Sequence, residues 1–399
     1  MNVSQAKEKG SLPSNSYGAT PPLRLDFLDG IRGLAALYVA MHHAYLEVAW
    51  TEAKTGEILS GTLEKCLHPL LFGNVGVDVF IVLSGFCLTL PIAKKSDFSL
   101  RGGIKRYLAR RGRRILPPYY AALIFSLLLI ALGPGMSERS GARWDVSLPA
   151  YSPEALLSHL LLVQNVSPEW SFKIDYPMWS VAVEWQIYFI FPLLLLPVLR
   201  RFGLVATAFV GFVVGLVPVY LARHHAFPSR FELSCPWLLG VFTMGMVSAL
   251  LVFSERFANG ALGRSLGKGW LFACAFFFWA ARADFWQSRG WNGEIVIGIW
   301  AALLLAYGAK QYEMKRTSCI VKLSLPVRAL ESSIPLWLGS ISYSLYLVHA
   351  PILAFVHALV RPMHMSGSAV IGVELAAGIP FSLAVAAFFQ RWFERPFQA

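Results

Sequence analysis

About ten stretches of roughly 20 mostly apolar residues follow one another along this chain, each long enough to cross a bilayer as a helix. With 56% hydrophobic and 15% charged residues in 399, no soluble fold could bury so much apolar surface. The sequence therefore predicts an all-α polytopic membrane protein with about ten transmembrane helices in one membrane domain, residues 25–397. These stretches begin near Leu28, Leu70, Ile115, Trp179, Leu204, Pro236, Trp270, Glu294, Pro335 and Val370.

The basic residues predict the orientation of the chain. Of the 35 Lys and Arg residues, 24 fall in segments that would be cytoplasmic if the N-terminus is inside, as the positive-inside rule requires. Both termini are therefore predicted to be cytoplasmic, in a multi-pass protein of the plasma membrane. The net charge of +12 is then explained by basic residues that keep these segments on the cytoplasmic side. No nucleic-acid partner is needed to account for it, and none is predicted. Residues 1–24, rich in Ser, Asn, Gly and Pro, indicate a disordered cytoplasmic tail.

Cysteine spacing does not favour a metal site. The five cysteines have no CxxC pairs and most lie in apolar runs, which excludes a disulfide framework or a Cys-type zinc site as a good interpretation. We predict no metal and no permanently bound cofactor.

Ionisable residues inside the membrane are costly and therefore candidates for function. In the first span, Arg32 and His43 are eleven residues apart, roughly 20° from the same helical face and about 16 Å apart along the axis. The pair can line one cavity. Alternatively, Arg32 snorkels to the headgroups and His43 or His42 bonds a neighbouring helix.

Two carboxylates occupy the second and fourth spans. Glu184 and Tyr188 stand at i and i+4 near the start of the fourth span, where a carboxylate can accept a proton or form an interhelical salt bridge with an arginine. Asp78 lies near the outer end of the second span, where we treat it as a polar residue with a substrate-binding or structural role.

The ninth span carries a polar stripe. Ser342, Tyr346 and His349 follow at i, i+4 and i+7 on one helical face. Such a stripe lines a water-filled cavity or holds neighbouring helices together through hydrogen bonds. The second role is favoured for the serines, and both roles stay open for His349.

A basic cluster precedes the third span. Six Lys and Arg residues lie between positions 105 and 114, among them Arg110, Arg111, Arg113 and Arg114. Such a cluster binds anionic lipid headgroups or clamps a polyphosphate, because the guanidinium offers a bidentate fork to phosphate oxygens.

Taken in order, these segments resemble the integral-membrane acyltransferase family 3, from about residue 24 to residue 397. The resemblance implies an O-acyltransferase that moves an acyl group, acetyl in first place, from cytoplasmic acyl-CoA to a hydroxyl of an extracytoplasmic glycan, a lipid-linked acceptor or a related metabolite. The matching segments are Leu28–Ala36 with His43, Gly76–Phe86, Arg110–Pro117, Trp179–Tyr188, Ser340–His349 and Phe393–Phe397.

Site residues follow from the resemblance position by position. Arg32 and His43 match the family's arginine and histidine pair, Arg111 and Arg113 match its basic motif, and Glu184 matches its glutamate.

Acyl transfer to a hydroxyl needs a base or a nucleophile. His43 can act as base or as transient acyl carrier, with Glu184 orienting the imidazole or accepting its proton and Arg32 stabilising charge. The arginine cluster would hold the CoA phosphates, and Tyr346 and Ser342 are weaker candidates for contacts with the oxyanion or the acceptor.

Two rival functions use the same residues. A secondary transporter would take Arg32, Asp78, Glu184 and His349 as a proton or substrate path, but the sequence has no inverted repeat. A lipid-binding scaffold would not need His43 and Glu184 inside the membrane.

Overall fold

The computed structural model describes residues 24–55, 66–224, 232, 234–258, 275–276, 291–317 and 322–397. Every regular element within these ranges is helical, which confirms the all-α prediction. The long helices and the two parts of the C-terminal helical run are α1 (Asp26–Thr55), α2 (Asn74–Ala93), α3 (Gly103–Leu132), α4 (Trp179–Ile190), α5 (Leu196–Arg223), α6 (Leu238–Phe253), α7 (Trp291–Thr317), α8 (Ser333–Val360), α9 (Gly367–Val373) and α10 (Ile379–Phe389).

Short elements connect and extend these helices. Four are α-helical: Pro153–Leu160, Pro168–Ser171, Glu255–Ala258 and Leu325–Leu330. The 3₁₀ turns are His68–Leu71, Arg143–Ser147, Gln164–Val166, Tyr176–Met178, Arg361–Met363 and Arg395–Phe397, and π-helical turns cover Phe191–Leu195, Glu374–Gly378 and Gln390–Glu394.

Six helical runs among the described residues are long and apolar enough to cross a membrane: Asn74–Ala93, Gly103–Leu132, Tyr176–Arg223, Asn292–Arg316, Ser333–Met363 and Gly367–Phe397. Helix α6 is apolar but has 16 residues, whereas α1 has 30 residues and more polar side chains. The expected span near Trp270 and the N-terminal tail fall in stretches that the structure does not describe. An integral membrane protein is confirmed, and the count of about ten spans stays a prediction.

The run from Tyr176 to Arg223 is broken at Gly203. This glycine has φ 85° and ψ −170°, a backbone conformation that residues with a side chain rarely adopt. The break lies next to Leu204, where the sequence predicts one span to give way to the next.

Helices α1 and α8 pack closely through glycines. A Cβ on Gly33 would lie 2.4 Å from the backbone nitrogen of Gly339, and one on Gly339 would lie 2.2 Å from the carbonyl oxygen of Asp29. Only residues without a side chain permit this approach. Ten residues further along each helix, His43 and His349 meet as well, so the two helices run parallel.

The long loop between α3 and α4 is folded. The Trp144 indole donates to the carbonyl of Met136 at 3.1 Å, and the Ser152 side chain caps Pro153–Leu160 by accepting from the backbone N–H of Ala155. The 3₁₀ turn Arg143–Ser147 contacts α1, so the loop brings aromatic and charged side chains to one end of that helix.

Candidate functional site

A pocket between α1, α2, α3, α4 and α8, here called the central pocket, collects most of the predicted site residues. Its lining includes Arg32, Arg111, Arg114, Glu184, Ser342 and Tyr346. Residues from four separate predicted spans and the basic cluster therefore meet in one place.

Arg32 is held in place at this pocket. One guanidinium nitrogen bonds the carboxylate of Asp29 at 2.6 Å, and the other lies 3.8 Å from the Cys87 sulfur. Its side chain is 20% exposed and forms part of the wall of the central pocket.

Glu184 is paired with a tyrosine. The Tyr188 hydroxyl donates to Glu184 Oε1 at 2.6 Å, one helical turn away, and the Arg111 guanidinium lies over the Tyr188 ring at 5.9 Å. The structure pairs His43 with His349 instead. The expectation that Glu184 orients the imidazole is therefore corrected: its carboxylate serves the central pocket on the side of Arg111.

His43 and His349 form a dyad just beyond the central pocket. His43 Nδ1 lies 2.7 Å from His349 Nε2, and the two rings are stacked with their centroids 5.0 Å apart. Neither histidine is among the residues that line the central pocket. Helical spacing predicts that Arg32 and His43 line one cavity, and the structure places only Arg32 in the wall of this one.

The hydrogen bonds of the dyad define its tautomers. His349 Nδ1 lies 3.0 Å from the Leu345 carbonyl, which can only accept, so this nitrogen carries the proton. In the neutral ring Nε2 is then unprotonated and accepts from His43 Nδ1–H. His43 Nε2 is thereby left with a free lone pair, the form that a general base requires.

Tyr346 joins the central pocket to the dyad. Its hydroxyl is 2.5 Å from Ser180 Oγ and donates to the carbonyl of Pro177 at 3.1 Å, while its ring lies 5.8 Å from that of His349. Ser342, in contrast, donates to the backbone carbonyl of Gly339, as expected for a serine that satisfies its own helix.

A larger cavity of about 610 Å³, here called the arginine-lined cavity, opens beside the central pocket. The two share Cys87, Leu88 and Arg111, so they adjoin. Predicted Arg110 lines it, whereas Arg113 is exposed and lines neither cavity. Arg106 of the predicted basic cluster also lines this cavity, and sequence reasoning missed two further cations, Lys95 and Arg101.

Asp78 is buried apart from both cavities. Its neighbours Val77 and Phe80 line the central pocket, but both Asp78 oxygens are enclosed without a hydrogen-bond partner among the described residues. A role in substrate binding gains no support from this position.

Three residues of the central pocket are not among the predicted site residues: Cys87, Ser180 and Tyr343. Ser180 lies one helical turn before Glu184, so the helical period could have identified it. Among the described residues, no group of three or more His, Cys, Asp or Glu side chains could hold a metal ion.

The pKa of Asp175, a buried carboxylate in the folded loop, is shifted. Asp175 is 1% exposed and accepts from Ser126 Oγ at 3.0 Å. Because burial disfavours the charged form more than this bond favours it, the pKa of Asp175 is raised to about 8.

Comparison with known proteins is consistent with this geometry. The family model for the acyltransferase domain, Acyl_transf_3, matches residues 25–391. The acyltransferase MdmB of Streptomyces mycarofaciens is 25% identical over 373 residues, 85% of this chain and 82% of its own length. The O-acetyltransferase OatA of Staphylococcus aureus is 24% identical over 84% of this chain, and the match spans about half, 52%, of its own length.

The peptidoglycan O-acetyltransferase OatA of Listeria monocytogenes is 27% identical over 177 residues, 43% of this chain and 24% of its own length. No solved structure matches the chain significantly. The family assignment does not favour the transporter alternative. With the family matched across nearly the whole chain, the protein belongs to acyltransferase family 3 and is an integral-membrane O-acyltransferase.

Proposed function

We propose that this protein moves an acetyl group from cytoplasmic acetyl-CoA to a hydroxyl of a glycan, a lipid-linked acceptor or a related metabolite on the other side of the plasma membrane. One observation supports this most: the arginine-lined cavity adjoins the central pocket, which ends at Tyr346 beside the histidine dyad. The names of the OatA relatives favour an acetyl group and a glycan.

The donor would bind from the basic side. Arg110 and Arg111 offer bidentate forks to the CoA phosphates, with Arg101 and Arg106 adding positive charge around the same cavity. The pantetheine arm then extends past Cys87 and Arg32 towards Tyr346. Arg32 and His43 are about 16 Å apart along α1, so an extended arm is needed to bring the thioester near the dyad.

Transfer follows from the free lone pair of His43. Nε2 takes the proton of the acceptor hydroxyl as its oxygen attacks the thioester carbonyl, and a tetrahedral intermediate forms. The C–S bond breaks, the acyl–oxygen ester remains, and the CoA thiolate takes the proton back from the imidazolium. The proton thus passes from the acceptor hydroxyl through His43 to the CoA thiol, and no other acid or base is needed.

The activity can be tested with purified protein in lipid nanodiscs. Radiolabelled acetyl-CoA and isolated cell-envelope glycans should give label in alkali-labile ester, and His43→Ala should lose roughly two to four orders of magnitude in turnover. Mass spectrometry of envelope glycans and secreted metabolites should show a gain of an acetyl mass only with the active protein. Near-native transfer by folded His43→Ala would contradict the mechanism.

The proposed orientation includes about ten spans and cytoplasmic termini. A cysteine at exposed Ser137, in the folded loop, should react with impermeant thiol reagents in intact cells. A cysteine at exposed Lys105, next to the arginine cluster, should react only after lysis. The reverse pattern would place the arginine-lined cavity on the outer side and refute a cytoplasmic donor.

A further inference from the structure

One face of α2 forms a continuous side of the central pocket. Phe80, Ser84 and Cys87 stand at i, i+4 and i+7 on this face, and all three line the pocket. Cys87 also lines the arginine-lined cavity, whereas Phe80 does not. About two helical turns, roughly 10 Å, separate these two residues along the helix axis. The pocket therefore has a donor end at Cys87 and a far end at Phe80.

Contacts from other helices identify what lies at each end. At the donor end, a guanidinium nitrogen of Arg32 lies 3.8 Å from the Cys87 sulfur. At the far end, the rings of Phe80 and Tyr346 meet edge to face with their centroids 5.7 Å apart. Since the Tyr346 ring also lies 5.8 Å from the His349 ring, Phe80 stands at the end of the pocket that adjoins the dyad.

Apolar side chains accompany Phe80 at the far end. Val77, one helical turn away on α2, and Val181 on α4 line the central pocket as well. Val181 follows Ser180, whose hydroxyl lies 2.5 Å from that of Tyr346, so this part of α4 reaches the same end of the pocket. A lining of this kind favours an alkyl group, which gains free energy by leaving water, and disfavours a polar group without a hydrogen-bond partner.

The space in the central pocket is small. Its volume is about 90 Å³, which corresponds to roughly six to nine water-sized groups. A thioester and the adjoining cysteamine arm of CoA would occupy most of that space. Tyr346 is held by its hydrogen bond to the Pro177 carbonyl, whereas the Phe80 ring has no polar atom to anchor it. A longer alkyl chain would therefore have to displace Phe80.

We propose that Phe80 determines the acyl-chain selectivity of the enzyme, with Val77 and Val181 completing a subsite for the alkyl part of a short acyl group such as acetyl. This inference rests on the proposed function, because it takes acyl-CoA as the donor, and it adds a specificity-determining residue. The thioester carbonyl lies beside Tyr346 and faces the dyad, while the alkyl carbon contacts the Phe80 ring. A smaller side chain at position 80 then admits longer acyl chains.

Binding of unreactive donor analogues tests this subsite without acyl transfer. S-ethyl-, S-butyl- and S-hexyl-CoA are thioethers that match acetyl-, butyryl- and hexanoyl-CoA in chain length but have no group to transfer. Each of them, and CoA itself, is titrated calorimetrically into the nanodisc-embedded protein. The test variants are Phe80→Ala and Phe80→Leu. The matched control is Leu88→Ala, which also shortens an apolar side chain of the central pocket but does so at the junction with the arginine-lined cavity.

In the unchanged protein, the Kd for S-hexyl-CoA should exceed that for S-ethyl-CoA about tenfold or more, because overpacking a filled site is costly. Phe80→Ala should bring the two values close together, and Phe80→Leu should narrow the gap in part. Thermal melting checks that each variant is folded, and the leucine variant decides the question if the alanine variant is not. Leu88→Ala should keep the full gap.

Equal binding of all three thioethers by the unchanged protein would overturn the proposal. A gap that the Phe80 variants leave intact, or that Leu88→Ala narrows just as much, would overturn it too. In each of these cases CoA still binds, so the proposed donor stands. A protein that binds neither CoA nor any thioether contradicts the proposed function itself, and the two failures are thereby told apart.

Discussion

His43 Nδ1 lies 2.7 Å from His349 Nε2 because α1 and α8 run parallel and touch at Gly33 and Gly339, ten residues earlier in each helix. The glycines fix the distance between the helices, and the equal spacing fixes the register. The imidazole of α8 therefore determines which nitrogen of the α1 imidazole is available as a base.

His349 should accordingly tolerate glutamine better than alanine. In His349→Gln the amide oxygen can still accept from His43 Nδ1–H, whereas His349→Ala leaves the His43 ring free to adopt the wrong tautomer. We expect turnover to fall roughly 10²-fold or more in the alanine variant, with the KM for acetyl-CoA unchanged, and to recover largely with glutamine.

A suitable control is His42→Gln. His42 Nδ1 is bonded to the Leu70 carbonyl and takes no part in the His43–His349 hydrogen bond, so this variant should keep most of the activity. Equal losses in His349→Gln and His349→Ala would contradict a positioning role through the hydrogen bond.

Apolar length and intramembrane charge are local properties, so the sequence alone predicts an all-helical membrane protein and singles out Arg32, Arg111 and Glu184, which the structure brings together in the central pocket. The stripe Ser342, Tyr346 and His349 is correctly placed on a single face that meets other site residues. The sequence points to Glu184 as the residue that orients His43, whereas the structure places His349 at hydrogen-bond distance from it. Register between α1 and α8 depends on a contact between residues about 306 positions apart, and no periodicity within one helix contains that information.

Arg110 and Arg111 line the arginine-lined cavity and Arg113 does not, although the three belong to the same basic cluster in the sequence. Changing Arg110 and Arg111 to alanine should raise the Kd for CoA about tenfold or more, because each charged hydrogen bond contributes about 1.5–3 kcal/mol. Lysine at both positions should restore binding only in part. Isothermal titration of CoA into the nanodisc-embedded protein measures this.

Arg113→Ala is the matched control for that experiment. Arg113 is exposed and lines neither cavity, so its loss should change CoA affinity far less, although the resemblance assigns it to the basic motif. A Kd that responds equally to Arg113→Ala and Arg111→Ala would mean that long-range charge, and not the cavity geometry, holds the donor.

Close packing of α1 on α8 predicts that Gly339→Ala lowers activity. The new Cβ would lie 2.2 Å from the Asp29 carbonyl oxygen, so the helices must separate, at a cost of about 1–3 kcal/mol for overpacking. Separation lengthens the His43–His349 hydrogen bond and should reduce turnover at least tenfold. Gly372→Ala, where a Cβ would meet nothing within 4 Å, should behave as the unchanged protein in both thermal stability and turnover.

Buried Asp175 predicts that the folded loop loses stability as the pH rises. Its pKa in the folded protein, about 8, lies above the ordinary value of 3.8, so between these values the folded state holds a proton that the unfolded state has released. The stability contributed by this group then falls with increasing pH and levels off above about pH 8. Intrinsic-fluorescence melting in nanodiscs should show a Tm that decreases from pH 5 to pH 8.

Asp175→Asn removes the titrating group but keeps an oxygen that can accept from Ser126 Oγ. The variant should therefore show a flatter dependence of Tm on pH and a higher Tm than the unchanged protein at pH 8, with little difference at pH 5. Each unit of pKa shift corresponds to about 1.4 kcal/mol, so the gain should be measurable. A variant that melts in parallel with the unchanged protein across this range would show that Asp175 is ionised in the folded loop.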